Sequence, residues 1–190
     1  MQKRYRIEHD SLGKKAVPSR AYYGIETQRA LETFKISELH LPLHLVKAMA
    51  IIKKAAAMAN LRTKRIDKKI TNAIIRACSD IIAGRLDSQF PLDVFQAGAG
   101  TSEHMNVNEV IANRALELLH HKKGDYNYLN PHNHVNFGQS TNDVFHSAIH
   151  ISAFIAIKHH LIPQLLSLRL SLAKKAKLWK NIIKTGRTHL

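Results

Sequence analysis

The chain has 190 residues, of which 45% are hydrophobic, so it is long enough for one domain with a sizeable core or for one domain and part of another. Its formal charge of +15 would suit a nucleic-acid partner, but Lys and Arg are spread along the chain and aromatic residues are only 6%. We therefore expect no nucleic-acid partner.

The N-terminus and the single cysteine bear on the cellular compartment. Positive residues at the start are not followed by an apolar stretch typical of a signal peptide. No uncharged run approaches the roughly 18–20 residues needed to cross a bilayer, so we expect no membrane partner. Cys78 has no second cysteine for an internal disulfide, which is typical of a reducing compartment. These features predict a cytoplasmic protein.

The first half of the chain begins without a clear pattern and then becomes helical. Residues up to about Leu41 look irregular. A helix with a small-residue face is predicted from Leu43 to near Asn60. Asp67 is then predicted to cap a second helix that stops at Gly84.

The second half is also predicted to be helical. A helix is expected from about Ser102 to His120, followed by an ordered loop over 124–137. Apolar residues then recur at alternating steps of three and four from Val144 to Leu172, and Pro163 is expected to bend this helix without ending it. No strand-like alternation is evident, so the predicted fold class is all-α.

The last predicted helix is too long to be covered by the residues before it. About 35 helical residues span about 50 Å. Its apolar seam is typical of a helix bundle, whose members need neighbours. We therefore expect this helix to be completed by helices outside the chain.

Three clusters carry hydroxyl or amide side chains, and two of them stand just before a predicted helix. The clusters are Gly98–Ser102, Gln139–Asp143 and Gly186–His189. At the start of a helix, backbone N–H groups lack partners within the helix and can bind anions. Each cluster has a simpler explanation in isolation: a turn between loop and helix for the first, an ordinary helix cap for the second and a frayed chain end for the third. Together they favour a small polyanionic substrate.

These clusters, in this order, resemble the fumarase/aspartase superfamily, and within it the aspartate ammonia-lyases. The resemblance covers essentially the whole chain and includes the segments 106–110 and 134–136. Gly98-Ala99-Gly100-Thr101 and Ser140-Thr141-Asn142-Asp143 are closer to the ammonia-lyases than to fumarases. One departure is His104, which stands where the family usually has asparagine.

The resemblance implies an all-α fold in two parts. Residues 1–139 would form the N-terminal helical domain of the fumarase/aspartase fold, and residues 140–190 the first, incomplete helix of its central bundle. Family members are homotetramers whose active sites combine three subunits. The implied partners are a dicarboxylate substrate and either a complementary chain or further copies of the same chain.

The implied activity is that of a carbon–nitrogen lyase, the reversible elimination of ammonia from L-aspartate to give fumarate. The resemblance assigns substrate contacts to six residues and gives His189 a possible second role in a proton relay. It implies no cofactor and no catalytic metal. The six residues are Thr101, Ser140, Thr141, Asn142, Thr188 and His189.

The serine that acts as general base in the family lies in a Gly-Ser-Ser loop, and this sequence contains no such motif. We therefore expect the chain alone to be inactive. Two alternatives remain open: part of a class II fumarate hydratase, or an inactive fragment that associates with a complementary chain.

Overall fold

A computed structural model describes residues 4–189. These residues form six α-helices and one antiparallel two-stranded sheet, and the structure is 58% helical, which confirms the all-α class. The strands are β1 (Tyr5–Asp10) and β2 (Gly13–Pro18). The helices are α1 (Ile25–Thr33), α2 (Leu43–Arg62), α3 (Lys68–Ile82), α4 (Thr101–Leu118), α5 (Thr141–Ala156) and α6 (Ile162–Leu178), with a 3₁₀ turn at Asp87–Gln89 and π-helical turns at Pro131–Val135 and Ile157–Leu161.

The β1–β2 hairpin corrects the prediction that the first 41 residues are irregular and that the chain lacks strands. Strand β1 shows little apolar alternation because its most buried side chain is Glu8. The Glu8 carboxylate accepts hydrogen bonds from Arg6 Nε at 2.7 Å and from the Ile25 backbone N–H at 2.8 Å. An ion pair between half-buried Arg6 and buried Glu8 therefore takes the place of the apolar side chains by which a strand is normally recognised.

Helix α1 was also missed, because a residue distant in sequence caps it. Gly24 precedes the helix and offers no side chain for capping. Instead, the buried Glu109 carboxylate of α4 accepts hydrogen bonds from the backbone N–H groups of Gly24, Glu26 and Thr27 at 2.8–3.1 Å. The Thr27 hydroxyl donates to the same carboxylate at 2.6 Å. These bonds satisfy the first turn of α1 and fix it against α4.

Helices α2, α3 and α4 build the main core, and their predicted bounds are close to the observed ones. As predicted, Asp67 caps α3, since its Oδ1 accepts from the N–H groups of Lys69 at 2.7 Å and Ile70 at 3.3 Å. Cys78 lies wholly buried in this core, where burial raises the pKa of its thiol to about 12. Other fully buried core residues are Met49, Ile74, Ile81, Val107, Ile111, Leu116 and Leu129.

Backbone contacts divide the chain into two compact units, one ending at Ser152 and the other beginning at Ala153. The first contains the hairpin, α1–α4 and most of α5, which buries Val144 and Ala148. The predicted domain boundary between residues 139 and 140 stays a prediction.

The second unit contains the end of α5, the π-helical turn and α6. As predicted, Pro163 does not end the helical path. The Ile162 N–H bonds to the Ile157 carbonyl, five residues back, which accommodates a proline that has no N–H of its own. Over Thr141–Leu178 the described helix is long and apolar enough to cross a membrane by length and composition alone, and 6% of its most apolar 18-residue stretch is buried. A single helix of this kind is weak evidence for a membrane span.

Candidate functional site

The first predicted cluster lies at the start of α4. Gly98 and Gly100 both have left-handed backbone conformations, with φ of 81° and 79°, and they turn the chain sharply into the helix. The Gln96 side-chain oxygen accepts from the N–H groups of Ser102 at 3.1 Å and Glu103 at 3.3 Å. Two first-turn donors that we expected to be free for an anion are therefore already used. The exposed Thr101 hydroxyl is the more accessible group for a ligand.

The second cluster forms the start of α5. Ser140 caps this helix, since its hydroxyl oxygen accepts from the Asn142 N–H at 3.2 Å. Ser140 and Asn142 are exposed, whereas Thr141 is half-buried. All three predicted residues therefore lie in one turn.

The starts of α4 and α5 are in direct contact. The His104 Nδ1 atom, one turn beyond Thr101, lies 2.7 Å from the Thr141 hydroxyl oxygen. Gly100 packs so tightly on the Phe145 ring that an added Cβ would lie 2.4 Å from a ring carbon. The structure therefore brings together two clusters that are 40 residues apart in sequence, from Thr101 to Thr141.

Beneath this contact lies a buried network that begins on α2. The Lys53 side chain is wholly buried, and its Nζ donates to Asn136 Oδ1 at 2.7 Å. The Asn136 amide in turn donates to the Gln139 carbonyl at 3.2 Å, directly before Ser140. Lys53 therefore holds the loop that leads into α5.

Burial controls the charges of these groups. Burial lowers the pKa of Lys53 to about 7, because removal from water penalises the ammonium form. Burial, with the nearby Lys53 charge, lowers the pKa of His104 to about 3. The His104 imidazole is therefore neutral at physiological pH.

A cavity of about 600 Å³ opens beside Thr101 in the first unit. The β1–β2 turn, α1, the start of α4 and the turn at Pro131–Val135 supply its walls. This volume exceeds that of a four-carbon diacid. Arg29 in its wall is ion-paired with Asp10, with an Nε–Oδ2 distance of 2.7 Å, so its charge is largely neutralised before any ligand binds.

The third cluster belongs to the second unit. Thr188 and His189 are exposed in the second unit, beyond α6. Their assignment as substrate-binding residues, and the possible relay role of His189, stay predictions.

The sequence interpretation missed Lys53, Asn136 and Gln96 as supports of the site. Lys53 gave one usable signal, because it falls on the buried stripe of α2 with Met49 and Ala57, where a lysine is out of place. Asn136 lies in the segment 134–136 that carries the family resemblance, but its role as a support depends on the folded loop. Gln96 gave no signal.

Comparison with known proteins identifies the family. A profile of the lyase family matches residues 13–190. The chain belongs to the fumarase/aspartase superfamily of lyases. It is 48% identical over 189 residues to the aspartate ammonia-lyase of Bacillus subtilis and 47% identical over 190 residues to the class II fumarate hydratase of Halobacterium salinarum.

Solved structures of the superfamily have the same fold. A fumarate lyase:delta crystallin from Brucella melitensis matches 98% of this chain with a TM-score of 0.94 and 45% identity, and the match covers 41% of that protein. The class II fumarase of Schistosoma mansoni matches with a TM-score of 0.92 and 39% identity, covering 98% of this chain and 39% of that protein. The chain spans about 40% of the length of the curated relatives named above.

Proposed function

We propose that this chain carries part of the substrate-binding site of an aspartate ammonia-lyase, and that the catalytic base is supplied from outside these 190 residues. The contact between the starts of α4 and α5 is the observation that carries the proposal. It supports the proposal that the Thr101 hydroxyl and the Ser140–Asn142 turn bind one small ligand together. Two separate carboxylate-binding groups are what a dicarboxylate requires.

The chemistry explains why hydrogen-bond donors matter. The C3–H bond of L-aspartate breaks, its electron pair forms the C2–C3 double bond, and the C2–N bond breaks as ammonia leaves. Extra negative charge accumulates on the carboxylate next to C3 before ammonia departs. Preorganised donors stabilise that charge in the transition state. We assign this role to Thr101, Ser140, Thr141 and Asn142, with Thr188 and His189 completing the site.

A class II fumarate hydratase is the second candidate. The identity to the Halobacterium salinarum hydratase is within one percentage point of that to the Bacillus subtilis ammonia-lyase, at 47% and 48%. The same carboxylate-binding groups would serve the addition of water to fumarate. Thr141 and Ala99, read as ammonia-lyase-like, favour the first candidate.

A chimera tests the two candidates. Residues 1–190 are joined to the remainder of the Bacillus subtilis aspartate ammonia-lyase, and fumarate formation is measured with L-aspartate and with L-malate. We expect ammonia elimination from aspartate. Thr101→Ala should lower kcat/KM at least about tenfold, because a hydrogen bond to a charged group is lost.

Thr63→Val is the control for that variant, since Thr63 is exposed at the end of α2 and its hydroxyl donates to carbonyls of the same helix. It should leave kcat/KM unchanged. A folded chimera that acts on malate but not on aspartate would favour the hydratase. Fumarate production by the 190-residue chain alone would contradict the proposal that the catalytic base lies outside these residues.

We also propose that α6 packs against further copies of this chain. Leu165, Leu168 and Leu172 follow a three-and-four spacing, and each is more than half exposed, at 54%, 55% and 60%. Such a seam is typical of a bundle helix. We expect the purified chain to self-associate.

Light scattering after size-exclusion chromatography measures this association. Leu172→Glu should shift the chain towards monomer, because the oligomer would bury a charge in the seam. Ser171→Glu adds the same charge one position away and should have a smaller effect. A stable wild-type monomer, or a chain that instead partitions into lipid vesicles, would contradict the proposal.

A further inference from the structure

His104 has two ring nitrogens but only one hydrogen-bond partner. Its side chain is wholly buried in α4. Nδ1 lies 2.7 Å from the Thr141 hydroxyl, whereas Nε2 is buried with no hydrogen-bond partner among the described residues. Because a neutral imidazole carries one proton, the arrangement allows two tautomers.

The two tautomers differ in what they leave unsatisfied. A proton on Nε2 would give a buried N–H without an acceptor, which is rare in native proteins. A proton on Nδ1 leaves only a lone pair at Nε2, and under-satisfied acceptors are better tolerated. Burial, with the charge of nearby Lys53, disfavours a second proton on the ring. The Nδ1–H tautomer is therefore favoured.

The tautomer decides what the Thr141 hydroxyl can do. If Nδ1 were an acceptor, the Thr141 hydroxyl would donate its only proton to a hydrogen bond with His104. With Nδ1–H as donor, the Thr141 oxygen accepts and its own proton remains available for another group. Among the described residues, the Thr141 hydroxyl has one hydrogen-bond partner, His104.

We propose that His104 is a positioning residue that donates from Nδ1 to Thr141 and so keeps the Thr141 hydroxyl as a hydrogen-bond donor to a carboxylate of the ligand. This inference rests on the proposed function for its ligand. The tautomer itself depends only on the contact between α4 and α5.

Nitrogen NMR of the histidine rings tests the tautomer in the 190-residue chain. Comparison with the His104→Asn variant identifies the His104 signals among the 13 histidines. We expect a protonated Nδ1 and a bare Nε2 that stay unchanged between about pH 5 and 8. A protonated Nε2, or an imidazolium in this range, would overturn the inference.

Fumarate titration of the same chain, followed by NMR, tests the consequence. His104→Phe keeps a buried ring but removes the donor, so fumarate should bind up to about tenfold more weakly. His104→Asn offers an amide N–H to Thr141 and should bind like wild type. Equal fumarate affinity of His104→Phe and wild type, with both folded, would overturn the positioning role.

The two proposals fail in different ways. A folded wild-type chain that binds no fumarate would count against the proposed substrate class. The ring-nitrogen measurement would still decide the His104 tautomer in that case.

Discussion

Gly100→Ala is expected to lower the free energy of unfolding by about 3 kcal/mol, because it combines backbone strain with a steric clash. The φ of 79° at Gly100 is one that residues with a Cβ rarely adopt. The new Cβ would also lie 2.4–2.5 Å from three carbons of the Phe145 ring. Urea denaturation followed by circular dichroism measures the loss.

Gly138→Ala is the matched control for the backbone term. Gly138 has a similar φ of 70°, but an added Cβ there would meet nothing within 4 Å. Gly138→Ala should lower the free energy of unfolding by about 1 kcal/mol, from backbone strain alone. Equal losses of unfolding free energy in the two variants would show that the contact between Gly100 and Phe145 is loose. That result would weaken the evidence that α4 and α5 form one site.

Local signals explain which parts of the fold could be predicted. The cap on α3 was predicted because Asp67 and the N–H groups it accepts from are two and three residues apart. The cap on α1 was not, because Glu109 lies 82–85 residues from the groups it satisfies. Periodicity reports burial of apolar side chains, so it gave no sign of β1, whose buried side chain is Glu8.

The candidate site divides in the same way. The hydroxyl and amide residues at the starts of α4 and α5 were evident from their positions before helical patterns. The contact that joins them depends on how α5 packs on α4, which no local pattern encodes. Gln96 likewise uses N–H groups at the start of α4 that the sequence alone suggested were free. The sequence therefore pointed to the candidate ligand-binding residues. The buried polar groups that support these residues could be found only in the structure.

Lys53→Met is expected to change how stability depends on pH. In the folded chain the pKa of Lys53 is lowered to about 7 by burial, from an ordinary value of 10.5. Between these values the unfolded chain binds the extra proton, so the folded state gains stability as the pH rises. From pH 7 to pH 9 this gain should be about 2 kcal/mol for wild type relative to Lys53→Met.

The difference between the two proteins isolates this effect. The Lys53 charge acts on Cys78 and His104, but burial sets their folded-state pKa values at about 12 and about 3, outside the range from pH 7 to pH 9. Their contributions are therefore the same in both chains over this range and cancel. Loss of the hydrogen bond from Lys53 to Asn136 lowers the stability of the variant by a similar amount at each pH, so it does not alter the slope. Urea denaturation of both proteins at pH 7, 8 and 9 gives the comparison.

Lys54→Met is the matched control, because Lys54 is the next residue of α2 and its side chain remains partly in water. Its stability should follow the wild-type pH dependence. If the stability of Lys53→Met also followed the wild-type pH dependence, the Lys53 ammonium would have to be solvated in the folded chain. The loop before Ser140 would then not be held by a buried amine, and Asn136 would need another donor. If only Lys53→Met loses the rise of unfolding free energy with pH, Lys53 is the buried amine that holds the loop before Ser140. The start of α5, with the proposed ligand-binding turn, is then supported from α2.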